Sequence, residues 1–379
     1  MINCYDLTAT VEDFKADFRP IDFQDGFEED RQMKKLHIIG QIVCAVITLT
    51  SVTANACTRF IYETGSKTFV VGRSMDWMED PKTDLWAFPQ GMKRNGGLGQ
   101  GSMTWTSKYG SVIASFYNVA TVEGMNSAGL VANTLYLVET DYGDARTAGK
   151  PLMSVGAWTQ YALDNFATVA EAVDALSQEP FAIVAPALPD GSAAGGHLSL
   201  ADASGDSAIF EYLNGKLVIH HSPKYTVMTN SPTFDQQLAI ATYWKNIDGL
   251  SFLPGTINSS DRFVRASWAL NAAPKEKDNR LAIATSFSLI RSISVPLGLA
   301  EAGKPNIAGT IWRSISDISA KRYYFESAYN PSIFWVDLDK LKLSAGSRPS
   351  RLDLTSRPIY AGEVSDKFVA TEPFKFLSQ

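Results

Sequence analysis

Residues 57–77 read CTRFIYETGSKTFVVGRSMDW. Arg59–Tyr62 is rich in β-formers, Thr64-Gly65-Ser66 is a turn signal, and Thr68–Val71 resumes the strand. The stretch therefore predicts strand, turn, strand. A hairpin returns its second strand to the start of its first, so Arg73 and Asp76 are expected to finish beside Cys57. Spacing alone also allows a plain surface salt bridge at a strand end.

Working outward, Ser111–Asn118 and Gly129–Leu137 read as further strands. Residues 154–178 read as helix in two parts. Thr168 and Glu171 form an S/T-x-x-E capping box ahead of the second part. Strands return over His197–Thr229, with Ser204-Gly205 and Asn214-Gly215 as hairpin turns. Ser260 is expected to cap a helix over Asp261–Ala272, and Leu281–Ser292 is a second helical run. Thr310–Ser327 and Ser332–Leu338 are strands, and Pro180–Gly196 reads as a surface loop. Strands, helices, strands, helices, strands is an α+β order, with helices packed on antiparallel sheets. No internal repeat or long linker divides residues 57–379, which are expected to form a single domain.

The residues ahead of Cys57 carry a different pattern. Met33–Ala56 reads MKKLHIIGQIVCAVITLTSVTANA. A basic start, an apolar run from Ile38 to Leu49 and Ala54-Asn55-Ala56 make the three parts of a secretory signal peptide. The apolar run is short for a membrane span. Residues 1–32 carry the acids Asp6, Glu12, Asp13, Asp17, Asp22, Asp25, Glu28, Glu29 and Asp30, which do not suit a signal's basic start. They are expected to be an upstream extension, with translation beginning at Met33. Cleavage between Ala56 and Cys57 would send the protein to the periplasm or the medium, with no membrane anchor and with Cys57 as its first residue.

The chain has 379 residues, with 34 Lys+Arg against 40 Asp+Glu, a net charge of −6. That mildly acidic balance argues against a nucleic-acid partner, which needs a basic surface. Three cysteines exclude a disulfide-dense scaffold and a Cys-rich zinc site. The four histidines, His37, His197, His220 and His221, form no HExxH pair.

An N-terminal cysteine joins a nucleophile and a base in one residue. A free α-amine ordinarily titrates at about pH 7.7–8.0, so it can take the thiol proton without a histidine. An internal cysteine would more simply be a small buried apolar group. Such a site also needs a cation near sulfur, a carboxylate for the amine, and donors for the oxyanion.

With Cys57 first, the motifs C-T-R-F and G-R-S-M-D-W resemble the start of the choloylglycine hydrolase family. That family comprises bile salt hydrolases and penicillin V acylases, which are N-terminal-nucleophile hydrolases. EGMNSAGLVANTLYL (Glu123–Leu137) is similar to its G-x-N-x-x-G-L turn, VMTNSPTFDQQ (Val227–Gln237) to its T-N-x-P segment, and SSDRFVRA (Ser259–Ala266) to its S-x-R-F helix start. The strands near Trp312 and Asn330-Pro331 fit its C-terminal part. The resemblance implies a four-layer αββα sandwich, with hydrolysis of a linear amide through a thioester and no cofactor. It also implies a homotetramer. By position, it implies Cys57 as nucleophile, Arg73 and Asp76 holding thiolate and amine, and Arg262 anchoring the charge network. Asn230 would donate to the oxyanion from its side chain and Tyr136 from its backbone. Without the family, Asn230 would read as a turn residue and Arg262 as a surface charge.

The resemblance extends to the acyl group. Tyr136 stands where bile-salt-selective members typically have Asn, which points to an aromatic or flexible acyl group of penicillin V or N-acyl homoserine lactone type. Trp77, Trp86 and Phe88 follow Asp76 closely and are candidates to line an apolar pocket, with core packing as the equal alternative. Hydrolysis of conjugated bile salts, a fatty-acid amide or ceramide amidase, and non-catalytic binding of acyl amides stay open as alternatives.

Overall fold

β1 (Thr58–Glu63) and β2 (Phe69–Asp76) form the expected hairpin in this computed structural model, which describes residues 57–189, 191–247, 252–299, 308–330 and 332–378. The expected leader and upstream extension lie outside the described residues. The register pairs Thr58 with Ser74 and Arg59 with Arg73, so Cys57 falls level with the Met75–Asp76 end of β2.

The hairpin sits inside a seven-stranded sheet. Its strand order is Val227–Thr229, β1, β2, Thr310–Asp317, Arg322–Ser327, Ile333–Asp337 and Gly362–Glu363. A nine-stranded sheet runs Lys216–His221, Ser207–Leu213, His197–Ala201, Val131–Leu135, Ala120–Asn126, Ser111–Phe116, Leu85–Phe88, Ser350–Leu352 and Val369–Ala370. One core cluster joins Ile61, Val71, Met125 and Ile209 between the sheets. It continues to Phe263, Leu270, Ile283 and Phe287 on the helices Ser259–Ala272 and Asn279–Ser292. A second cluster packs Trp158, Leu163, Val169 and Leu176, from the helices Val155–Asn165 and Val169–Leu176, on Ile113, Ala132, Leu200 and Phe210. Helix, sheet, sheet, helix is the αββα sandwich that the resemblance implies.

Because a strand alternates its side chains, this layering splits the hairpin's residues between two faces. Cys57, Arg59, Arg73 and Met75 face the second sheet: Arg59 reaches Leu200 O at 3.2 Å and Arg73 reaches Thr134 O at 3.0 Å. Thr58, Phe60, Tyr62 and Asp76 face the helices. Gly72 belongs to that face too, and a Cβ there would stand 2.4 Å from the Phe60 ring. The hairpin can thus present a cation from one face and a carboxylate from the other at the same strand end.

Several sequence expectations hold in detail. The Thr168/Glu171 capping box forms, and Asn214 and Gly215 both take positive φ, as a tight hairpin turn requires. Asn126 explains the G-x-N-x-x-G-L motif. Its side chain donates 2.8 Å bonds to Leu163 O and Phe166 O and accepts from Ala128 N and Leu130 N, tying a turn to a helix end.

Other expectations need correction. Ser260 does not cap its helix. The helix begins at Ser259 with Asn258 at the cap position, and the cap side chain makes no bond to the first turn. The strand expected over Ser111–Asn118 stops at Phe116, because Tyr117 and Asn118 turn with positive φ. The helix Phe234–Asn246 is an addition to the expected elements; it buries only Phe234 and Gln237, so it lacks a clear apolar stripe.

Candidate active site

Cys57 is 2% exposed, held between two strand ends. Its Sγ lies 3.9 Å from Met75 Sδ and 3.8 Å from Asp76 O. Its nitrogen donates to Asn230 Oδ1. Its carbonyl accepts a 2.9 Å bond from Arg262 Nη1. The flanking strand Val227–Thr229 pairs Thr229 with Thr58, which brings Asn230 level with Cys57.

Arg262 stands in the first turn of the helix Ser259–Ala272, fully buried. Its Nη1 also donates to Thr58 Oγ1 and lies 3.7 Å from Asp76 Oδ2, while Nη2 lies 3.5 Å from Asn230 Oδ1. Asp76 further accepts from the hydroxyls of Thr310 and Ser74. Burial raises the Asp76 carboxyl to about 6, and the Arg262 charge with the two hydroxyls holds it from climbing higher.

Arg73 approaches from the other face. Its Nη1 donates 2.7 Å to Val122 O and lies 3.5 Å from Glu123 Oε2, and its guanidinium stacks 5.2 Å from the Trp312 ring. Burial raises the Cys57 thiol above its ordinary value, and the Arg73 and Arg262 charges pull against that rise. Removing the thiol proton in this buried setting therefore calls for a base close to sulfur.

The thiol opens on a cavity of about 70 Å³ lined by Arg73, Trp77, Phe116, Tyr136, Leu188 and Leu377, among others. Trp77 and Tyr136 meet edge to face at 6.0 Å. Trp86 and Phe88 lie elsewhere. They project from the opposite face of Leu85–Phe88, stack on each other at 5.8 Å and pack against Phe374 in the second core cluster. Strand alternation decides this: Leu85 and Ala87 take the inter-sheet face, so Trp86 and Phe88 take the helix face. For these two rings, the core-packing alternative is the one observed.

The sequence pattern described as "Linear amide C-N hydrolases, choloylglycine hydrolase family" matches residues 57–360. The chain belongs to the choloylglycine hydrolase family. It is 48% identical over 367 residues to a penicillin V acylase of Pectobacterium atrosepticum, covering 89% of this chain and 97% of that one. It matches the structure of a penicillin V acylase from Agrobacterium tumefaciens with a TM-score of 0.80 and 52% identity, covering 85% of this chain and all of that one. A variant of the conjugated bile acid hydrolase of Clostridium perfringens matches with a TM-score of 0.69 at 20% identity, covering 81% of this chain and 98% of that one, which bears on fold alone. As a choloylglycine hydrolase family member, the chain is a hydrolase of linear amide C–N bonds.

Against that identity, the geometry gathers Cys57, Arg73, Asp76, Asn230, Arg262, Tyr136 and Trp77 at one strand end. The Cys57 nitrogen meets the Asn230 side-chain oxygen, whereas the Asp76 carboxylate faces Arg262, Thr310 and Ser74. The Asn230 Nδ2 group donates 2.7 Å to Tyr136 O.

Sequence reasoning missed the supports behind these residues. Gln237 is fully buried and donates from Nε2 to Asn230 O and Pro232 O at 2.5 and 2.6 Å, which pins the Asn230 backbone. Glu211 accepts from Phe234 N at 3.0 Å and meets His197 at 2.9 Å and His220 at 3.3 Å, fixing the helix start just after Asn230. No local signal marks either residue, because each acts across the fold.

Proposed function

We propose that Cys57, freed as the first residue by cleavage after Ala56 on export, is the nucleophile of an acylase of penicillin V or N-acyl homoserine lactone type. The observation that carries this reading is the thiol's position at the mouth of an apolar cavity, with Arg73 on one side and the Asn230–Arg262–Asp76 network on the other. The α-amine takes the thiol proton and Sγ attacks the acyl carbonyl. The oxyanion meets the second N–H of Asn230 and a backbone donor at Tyr136. Collapse breaks the C–N bond, the amine leaves with the proton, and water then hydrolyses the thioester to acid and free thiol.

The cavity supports a slim acyl group over a steroid. Its volume of about 70 Å³ leaves least room for a broad, rigid fused-ring acyl group. The test is primary-amine release from penicillin V, glycocholate and a long-chain acyl homoserine lactone, compared side by side. Release from the first or third, with glycocholate silent, is expected. Preference for glycocholate would move the assignment to bile salts.

Asp76 gives this reading a pH signature. Its carboxylate steadies Arg262, which holds the Cys57 carbonyl, so kcat/KM should rise with pH through about 6 as Asp76 ionises. The raised folded pKa also favours folding most below the unfolded value of 3.8, a contribution lost as pH rises through about 6. Thr310→Val removes a hydroxyl bond to the carboxylate, so the acid limb should move up by about one pH unit, while Thr310→Ser keeps it in place. A pH–rate profile of both variants checks this, and an unmoved limb in Thr310→Val would take Asp76 out of the account.

A further inference from the structure

Residues 374–377 reach the site. Phe374 packs on Trp86 and Phe88 at 5.4 and 5.8 Å, and Phe376 is buried close to Arg94, whose guanidinium stands 5.9 Å from its ring. Leu377 follows, 7% exposed, with its nitrogen donating 2.7 Å to Val119 O. These anchors fix the Leu377 side chain in the lining of the Cys57 cavity, together with Ala120, Val155 and Gly156.

The opposing surface is tight. A Cβ on Gly156 would stand 3.0 Å from Ala120 Cβ, 3.0 Å from Val119 O and 3.3 Å from Leu377 Cβ. Gly156 opens the helix Val155–Asn165, whose cap Ser154 accepts from Gly156 N at 3.3 Å, so that helix end is itself held. The cavity wall here is therefore made of an anchored tail, a capped helix start and the Phe116–Ala120 turn. Among these, Leu377 contributes the branched aliphatic side chain of residues 374–377. It lies 320 positions along the chain from Cys57, outside the residues that match the family pattern.

We propose that Leu377 is a specificity-determining residue that closes the acyl cavity and sets the length of acyl chain the enzyme accepts. The inference rests on the acylase reading above. An acyl group bound at the thiol must extend into the cavity, and each methylene that finds apolar wall gains about fourfold in binding. A chain too long for the wall loses that gain and must displace packed side chains.

The experiment measures kcat/KM for a series of linear N-acyl p-nitroanilides differing only in acyl length. The native enzyme, Leu377→Ala and Leu377→Phe are compared, each with its thermal unfolding midpoint. Leu377→Ala is expected to move the optimum to longer chains, changing the long-to-short ratio on the order of tenfold. Leu377→Phe is expected to move it to shorter ones. A uniform loss across all lengths in both variants would make Leu377 a packing residue and overturn the proposal. If the native enzyme cleaves the series and neither variant changes the profile, the proposal alone fails. If the native enzyme cleaves no member, the acylase reading falls and takes the proposal with it.

Discussion

Cys57→Ala is expected to lower amide hydrolysis by at least about 10⁴-fold, as loss of a nucleophile does in comparable acyl-transfer sites, while the fold persists. The fold should persist because the residue's polar ties are backbone ties. Its nitrogen bonds Asn230, and its carbonyl bonds Arg262. Among the described residues its sulfur has only long contacts, 3.9 Å to Met75 Sδ and 3.8 Å to Asp76 O. Alanine keeps the backbone bonds and strands no donor or acceptor. Amine release and thermal unfolding, measured on one preparation, check both halves. Substantial turnover by Cys57→Ala would place the nucleophile elsewhere, and ligand binding with no turnover by the native protein would favour a binding protein.

Arg262→Met carries the second large effect. Arg262 is the positive partner of Asp76 at 3.7 Å, with both side chains fully buried. Removing one partner of a buried pair leaves the other unpaired, at a cost of about 3–5 kcal/mol. The pKa of Asp76, already about 6, should climb further without the cation. The penalty belongs to the ionised carboxylate, so it is present at high pH and relieved as acid protonates Asp76. Urea unfolding should show Arg262→Met losing more stability at about pH 8 than at about pH 5. Adding Asp76→Asn should restore part of the stability and none of the activity. An equal loss at both pH values would mean that Arg262 matters through its bonds to Cys57 O and Thr58, with its charge on Asp76 immaterial.

The parts of the fold visible in the sequence are those with local causes. The hairpin is legible because its turn residues and β-branched runs lie within a short stretch. The Thr168/Glu171 box and the Asn214-Gly215 turn are likewise short-range chemistry. The helix Phe234–Asn246 is not legible, since it is held by Glu211 at its start and Gln237 within it. Trp86 and Phe88 are close to Asp76 in sequence, yet the parity of one strand turns them to the far face. Cys57, Arg73 and Asp76 can be joined by hairpin geometry alone. Asn230, Tyr136 and Arg262 need the family resemblance, because sheet pairing and helix packing bring them in from distant segments. Thr310 and Leu377 leave no mark in the sequence and emerge only from contacts.

The central claim is that the Cys57 thiol works with its own α-amine. Its most direct test compares penicillin V hydrolysis by the protein beginning at Cys57 with that by a form keeping Ala56 joined to it through an uncleaved peptide bond. The account predicts release of free amine by the first and none above background by the second, since an amide nitrogen cannot take the thiol proton. Equal rates from the two forms would contradict it and require another base for the thiol.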